Sequence, residues 1–94
     1  MMLTAKDQVH VLYDLLSEQS EDCCGTQAEC QQIQRLVRSL LSKKNINDED
    51  VLRILPEIYE YSLQAETSQD LNEYIMTNQP QLSQWASSIQ NIKY

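Results

Sequence analysis

Three cysteines, Cys23, Cys24 and Cys30, lie close together and flank Gly25, the single glycine of a 94-residue chain. Thiolates bind zinc well, so zinc is the first chemistry this cluster offers. A structural zinc site takes four ligands, usually supplied in Cys-x-x-Cys or Cys/His pairs. Here three cysteines are the most available, and no Cys-x-x-Cys pair occurs. The fourth ligand would have to be His10, the only histidine. If the segments flanking the cluster are helices in an antiparallel hairpin, the residue opposite Cys30 is near Leu15. His10 is then about five residues out of place, or ~7 Å along the axis at ~1.5 Å per residue. A site within one chain is therefore disfavoured, and a site shared between two chains is what remains of the zinc reading.

Thiol redox chemistry is the second candidate. Cys24 stands just before a helix start, where backbone N–H groups and the helix dipole favour a thiolate. Glu21, Asp22 and Glu29 act against it, because nearby negative charge disfavours another anion. A disulfide between Cys24 and Cys30 would span one helical turn and needs Cα atoms within about 7 Å. A structural reading fits better. Cys30 would be a small apolar plug on a core face, and one of the adjacent pair would close the hairpin end. Gly25 would supply a positive φ at the tight entry to the second helix. His10 falls on the wet side of the first helix. No Ser/His/Asp order, phosphate-binding glycine loop or inward carboxylate pair can be assembled. No catalytic or cofactor-binding residue is therefore expected; Cys23, Cys24 and Cys30 are the metal candidates of last resort.

The elements that must hold this cluster are helices. Thr4, with Asp7 three residues on, starts the first, which should run to about Gln19 with Val9, Leu12, Tyr13 and Leu16 inward and Val11 and Leu15 widening the stripe. Ser20 to Gly25 forms the connection. Thr26 and Glu29 then make a Thr-x-x-Glu capping box ahead of a second helix whose core face is Cys30, Ile33, Leu36, Val37, Leu40 and Leu41. The short connection predicts an antiparallel hairpin. Asn47, followed by Asp48, Glu49 and Asp50, marks a third helix start. Its acids suit the positive helix end and lack the ligand spacing of a calcium loop. Pro56 should bend this helix, but the apolar phase of Val51, Leu52, Ile54, Leu55, Ile58, Tyr59 and Ser62 continues across it to near Ala65. That arc is the widest in the chain, which places the third helix at the centre of the bundle. Thr67 to Asp70 offers another capping box before a short helix with Leu71, Tyr74 and Ile75 inward. Pro80 suits the first turn of a last helix carrying Leu82, Trp85, Ala86, Ile89 and Ile92, unless the last two are one bent helix.

The fold class is therefore all-α: one domain over residues 1–94, a bundle of four to five helices opening with an antiparallel hairpin. The net charge of −7 opposes general attraction to nucleic acid or anionic membrane. Arg35, Arg38, Lys43 and Lys44 form a run with no intervening acid, which complements the carbonyl end of the second helix. Read otherwise, the run could contact nucleic acid, and binding would then be salt-sensitive. No stretch approaches the ~20 apolar residues of a membrane span. The N-terminus lacks a signal-peptide pattern. An odd cysteine count suits a reducing compartment, so a cytoplasmic location is expected.

Several residues together resemble a known family: Asp-Cys-Cys-Gly-Thr at 22–26, Glu29-Cys30, Arg35-Leu36, Ser39-Leu40, Ile58-Tyr59, Tyr61-Ser62, and Gln81-Leu82-Ser83 ahead of Trp85. The pattern is similar to the YtzH-like family of small bacterial proteins and spans nearly the whole chain. That resemblance implies a cytosolic bacterial protein and carries over no catalytic residues. The expected function is a non-enzymatic protein–protein interaction module without cofactor. Apolar positions such as Val11, Leu52, Leu63 and Met76 exceed what so short a chain should cover, which favours a homodimer. The alternative is a thiol-redox or zinc protein using the three cysteines.

Overall fold

A computed structural model describes residues 4–43, 46 and 48–92, the side chain of Lys43 excepted. Five helices follow in order: α1 (Ala5–Asp22), α2 (Gln27–Lys43), α3 (Glu49–Thr67), α4 (Leu71–Thr77) and α5 (Gln79–Gln90). Among the described residues there is no strand, and no helix is long and apolar enough to cross a membrane.

Cross-helix bonds fix the directions. Gln8 Nε2, early in α1, donates to Ser39 Oγ, late in α2, at 3.0 Å. Gln27 Nε2, at the start of α2, donates to the Glu66 carbonyl at the end of α3. Gln79 Nε2, opening α5, donates to Ser20 Oγ near the end of α1. Each of these pairs is antiparallel. The main contacts run α1 to α2, α2 to α3, α3 to α5 and α5 back to α1, so four helices close into a ring with the expected hairpin on one side. The shortest dimension, 19 Å, is two helix layers of ~10 Å each. The third helix is not central. α3 meets α2, α4 and α5, while α1 meets α2, α4 and α5, so the core is shared around the ring.

Local physics accounts for most boundaries. Thr4 Oγ1 accepts from Asp7 N–H at 3.1 Å and starts α1, which runs past Gln19 to Asp22. Asn47 lies outside the described residues; the N-cap of α3 is Asp48, whose carboxylate accepts from Asp50 and Val51 N–H. α3 continues through Pro56. The proline is exposed, so water can reach the carbonyl that loses its partner. Thr67 does not cap α4. It is the last residue of α3, and the N-cap is Asp70, accepting from Glu73 N–H at 3.1 Å. α4 and α5 are separate helices that share Asn78 as C-cap and N-cap, with Pro80 in the first turn of α5.

Burial largely follows the periodic stripes. Leu41, expected on the core face of α2, is 39% exposed, because Leu40 takes the inward position beside it. Ile46, in the α2–α3 connection, is buried and caps the core from outside any helix.

Candidate functional site

The cysteine stretch is the corner between α1 and α2. Cys23 ends α1 in the left-handed conformation, φ 52° and ψ 35°, with its N–H bonded to the Gln19 carbonyl at 2.9 Å. A non-glycine residue is strained there. Its half-buried thiol donates to the Ser20 carbonyl at 3.7 Å. Cys24 is exposed. Thr26 and Glu29 form the expected reciprocal capping box: Thr26 N–H donates to Glu29 Oε1 at 2.8 Å, and Glu29 N–H to Thr26 Oγ1 at 3.1 Å.

Gly25 is required for a different reason from the one its type suggests. Its φ is not positive. A Cβ at this position would lie 2.9 Å from Gln19 Nε2, 3.0 Å from Glu29 Oε1 and 3.1 Å from Ile75 Cδ1. The glycine thus lets the corner close onto α1 and α4 together, and its N–H reaches Asn72 Oδ1 at 3.3 Å. The strained turn belongs to Cys23.

Cys30 is fully buried on the inner face of α2. Burial pushes its thiol pKa up to about 11, and the charges of Glu66 and Glu29 add to the rise. A thiol held in that state is a poor nucleophile and a poor metal ligand. Among the described residues, no three His, Cys, Asp or Glu side chains converge as a metal-binding group. The three cysteines therefore take three roles: a turn residue, a surface residue and a core plug.

The buried polar side chains lie deeper. Gln19, fully buried, accepts at Oε1 from the Tyr61 hydroxyl at 3.0 Å, while its Nε2 has no partner among the described residues. Burial chiefly, then Cys30 and Tyr74, pushes the Tyr61 phenol well above the ordinary tyrosine range. Tyr61 stacks on Tyr74, with ring centroids 5.6 Å apart at 23°, and meets Trp85 edge-on at 5.7 Å and 65°. These rings lie at the base of a groove of about 370 Å³ between α3, α4 and α5, whose other lining residues are Glu57, Glu60, Gln64, Asn78 and Gln81. The Tyr74 hydroxyl donates to Gln64 Oε1 at 3.2 Å. Burial, then Glu60, raises the Tyr74 pKa.

Two other grooves are shallower in chemistry. His10 and Asp14 line one of about 340 Å³ between α1 and α5, alongside Tyr13, Gln90 and apolar side chains. Arg35 and Arg38 line another with Ser39 and Ser42 on the outer face of α2. The remaining members of that basic run, the Lys43 side chain and Lys44, lie outside the described residues.

Sequence reasoning passed over Gln19 and Tyr61 because one is polar and the other falls beside the strongest stripe. Position gives them away. Gln19 continues the Leu12, Leu15, Leu16 row, and Tyr61 lies three residues after Ile58 and four before Ala65.

These features define a small all-helical bundle with a tightly capped hairpin corner and an aromatic groove between α3, α4 and α5. The chain belongs to the YtzH-like protein family, whose profile matches residues 3–89. It is 35% identical over 89 residues to the Bacillus subtilis (strain 168) protein named "Uncharacterized protein YtzH", a match covering 95% of this chain and 96% of that one. No solved structure matches it.

Proposed function

We propose that this protein is a non-enzymatic interaction module of the cytoplasm that associates through α4, first of all with a second copy of itself. The observation carrying this reading is Met76, the most exposed large apolar side chain among the described residues. Of Leu71, Tyr74, Ile75 and Met76, only Ile75 is fully covered, and Met76 is 61% exposed. Val11 and Leu52, offered by the sequence as surplus, are instead packed against the core, as are Leu71 and Tyr74 of α4, and Leu63 is half-buried. The exposed apolar surplus comes down to Met76 on the shortest helix and, less exposed, Leu41 on α2, and a partner surface over α4 would cover the first.

Light scattering across a concentration series tests the reading. The expected result is a dimer whose population rises with concentration and is lost in Met76→Glu. A strict monomer at every concentration, with no partner captured by cross-linking, sinks it.

The thiol reading retains one favourable observation, the exposure of Cys24 beside the strained Cys23. It would rest on that pair alone, since Cys30 is out of reach. Thiol titration across pH together with metal analysis after chelator-free purification decides it. Ordinary, slow reactivity at both residues and no bound zinc would remove it.

A further inference from the structure

We propose that the groove between α3, α4 and α5 receives an arginine or lysine side chain carried on a basic peptide segment of a partner protein. This rests on the interaction-module reading and names the chemistry of what the module binds.

The first support is charge without compensation. Glu57 and Glu60, three residues apart and both exposed, stand on one side of α3 at the groove. Among the described residues neither is in an ion pair, and Glu60 accepts only from the neutral Gln64 amide. From Ile54 to Ile92 the chain has carboxylates at Glu57, Glu60, Glu66, Asp70 and Glu73, and no lysine or arginine at all. The base immediately preceding this stretch, Arg53, is turned toward Asp50 at 3.9 Å. A cation entering the groove displaces no cation of the chain's own, and the surrounding acids draw it in.

The second support is the lining. Tyr74 is half-exposed against Tyr61, so a ring is available beside the carboxylates, the combination that favours a guanidinium or ammonium group. A volume of about 370 Å³ sits at the small end of the ~300–1,000 Å³ range of ligand pockets and suits one long side chain rather than a bulky ligand. Trp85, 5% exposed, lines the same groove, and its indole N–H, itself shut off from solvent, has no acceptor among the described residues. The aromatic wall of Tyr61, Tyr74 and Trp85 gives the methylene stem of an arginine or lysine an apolar surface to lie on, which a bare metal ion does not use.

Trp85 is also the chain's single tryptophan, so its fluorescence reports on the groove directly. The probe is a short peptide alternating arginine with glycine and serine, compared with the same peptide carrying neutral citrulline in place of arginine. The expected result is a saturable emission change with the arginine peptide at low salt. Affinity should fall about tenfold or more, ~1.4 kcal/mol, with the citrulline peptide and again in Glu57→Gln/Glu60→Gln. Asp7→Asn/Asp14→Asn, which removes the same charge from α1, should stay within about twofold of the parent. Equal binding of both peptides, no saturable change, or equal loss in the α1 variant would overturn the proposal. So would loss of self-association in Arg35→Gln/Arg38→Gln, which would make a second copy the occupant. Light scattering on the same samples separates the two readings: a dimer without a peptide response ends the groove proposal alone, whereas a monomer without one ends both.

Discussion

At residue scale the most informative bond joins Gln19 and Tyr61, 42 positions apart in sequence and buried between α1 and α3. A buried pair of this kind contributes modestly when made and costs more when half-broken. Tyr61→Phe removes the partner that the Gln19 amide has among the described residues and should destabilise the fold by ~1–3 kcal/mol. Gln19→Leu alone strands the Tyr61 hydroxyl and should cost a similar amount. The double variant replaces both with apolar groups of similar shape, so its cost should fall at least ~1 kcal/mol short of the sum. Urea unfolding of the four proteins gives that coupling energy directly, and strict additivity would show that the bond contributes nothing. Position 24 is the opposite case: nothing in the structure explains why the exposed residue after Cys23 is a cysteine.

At element scale the assignment of the α4 cap separates two residues that look interchangeable on paper. Asp70 accepts from Glu73 N–H, whereas the Thr67 hydroxyl donates back to the Leu63 and Gln64 carbonyls within α3. Asp70→Ala should therefore cost ~1 kcal/mol, while Thr67→Ala should stay within about 0.5 kcal/mol. Thermal melts of the two variants check this, and a reversed order would restore Thr67 as the cap. The confusion shows what kind of information a sequence holds. Thr4 and the Thr26–Glu29 box were legible because capping depends on residues three apart. The stripes Val9 to Leu16 and Cys30 to Leu40 were legible because helical period alone decides which side faces inward. Where α3 stops depends instead on how far its last turn can pack, so Thr67 was assigned to the wrong helix. Gly25 is fixed by Gln19 and Ile75, and Ile46 by the whole core floor. Neither requirement has a local signature. The groove was invisible for the same reason: Glu57 and Glu60 read as a wet helix face until α4 and α5 bring Tyr74 and Trp85 beside them.

At the scale of the molecule, the ring of α1, α2, α3 and α5 buries two groups that ionise only at high pH. Cys30 and Tyr61 face one shared interior, and a charge on Cys30 raises the cost of charging Tyr61. In the unfolded chain the thiol titrates near its ordinary value of 9.0, while in the folded chain it holds its proton to about 11. The folded state therefore binds more protons across that window, and stability must fall as pH rises through it. The contribution is fully present below pH 9 and disappears as pH climbs toward 11. Each proton so linked sets a slope of about 1.4 kcal/mol per pH unit. Tyr61 steepens the decline above pH 10, where its unfolded counterpart begins to ionise. Urea unfolding at pH 8, 9, 10 and 11 should show little change in the first interval and a marked loss thereafter. Cys30→Ala lowers stability everywhere by leaving a small cavity, so the test is its slope rather than its level. Between pH 9 and 10, where the thiol dominates, the slope should flatten by most of one proton in Cys30→Ala, while Tyr61→Phe should act mainly above pH 10. An unchanged slope in Cys30→Ala would mean that the thiol is not held protonated by the core, and that the interior around it opens to water well before the bundle unfolds.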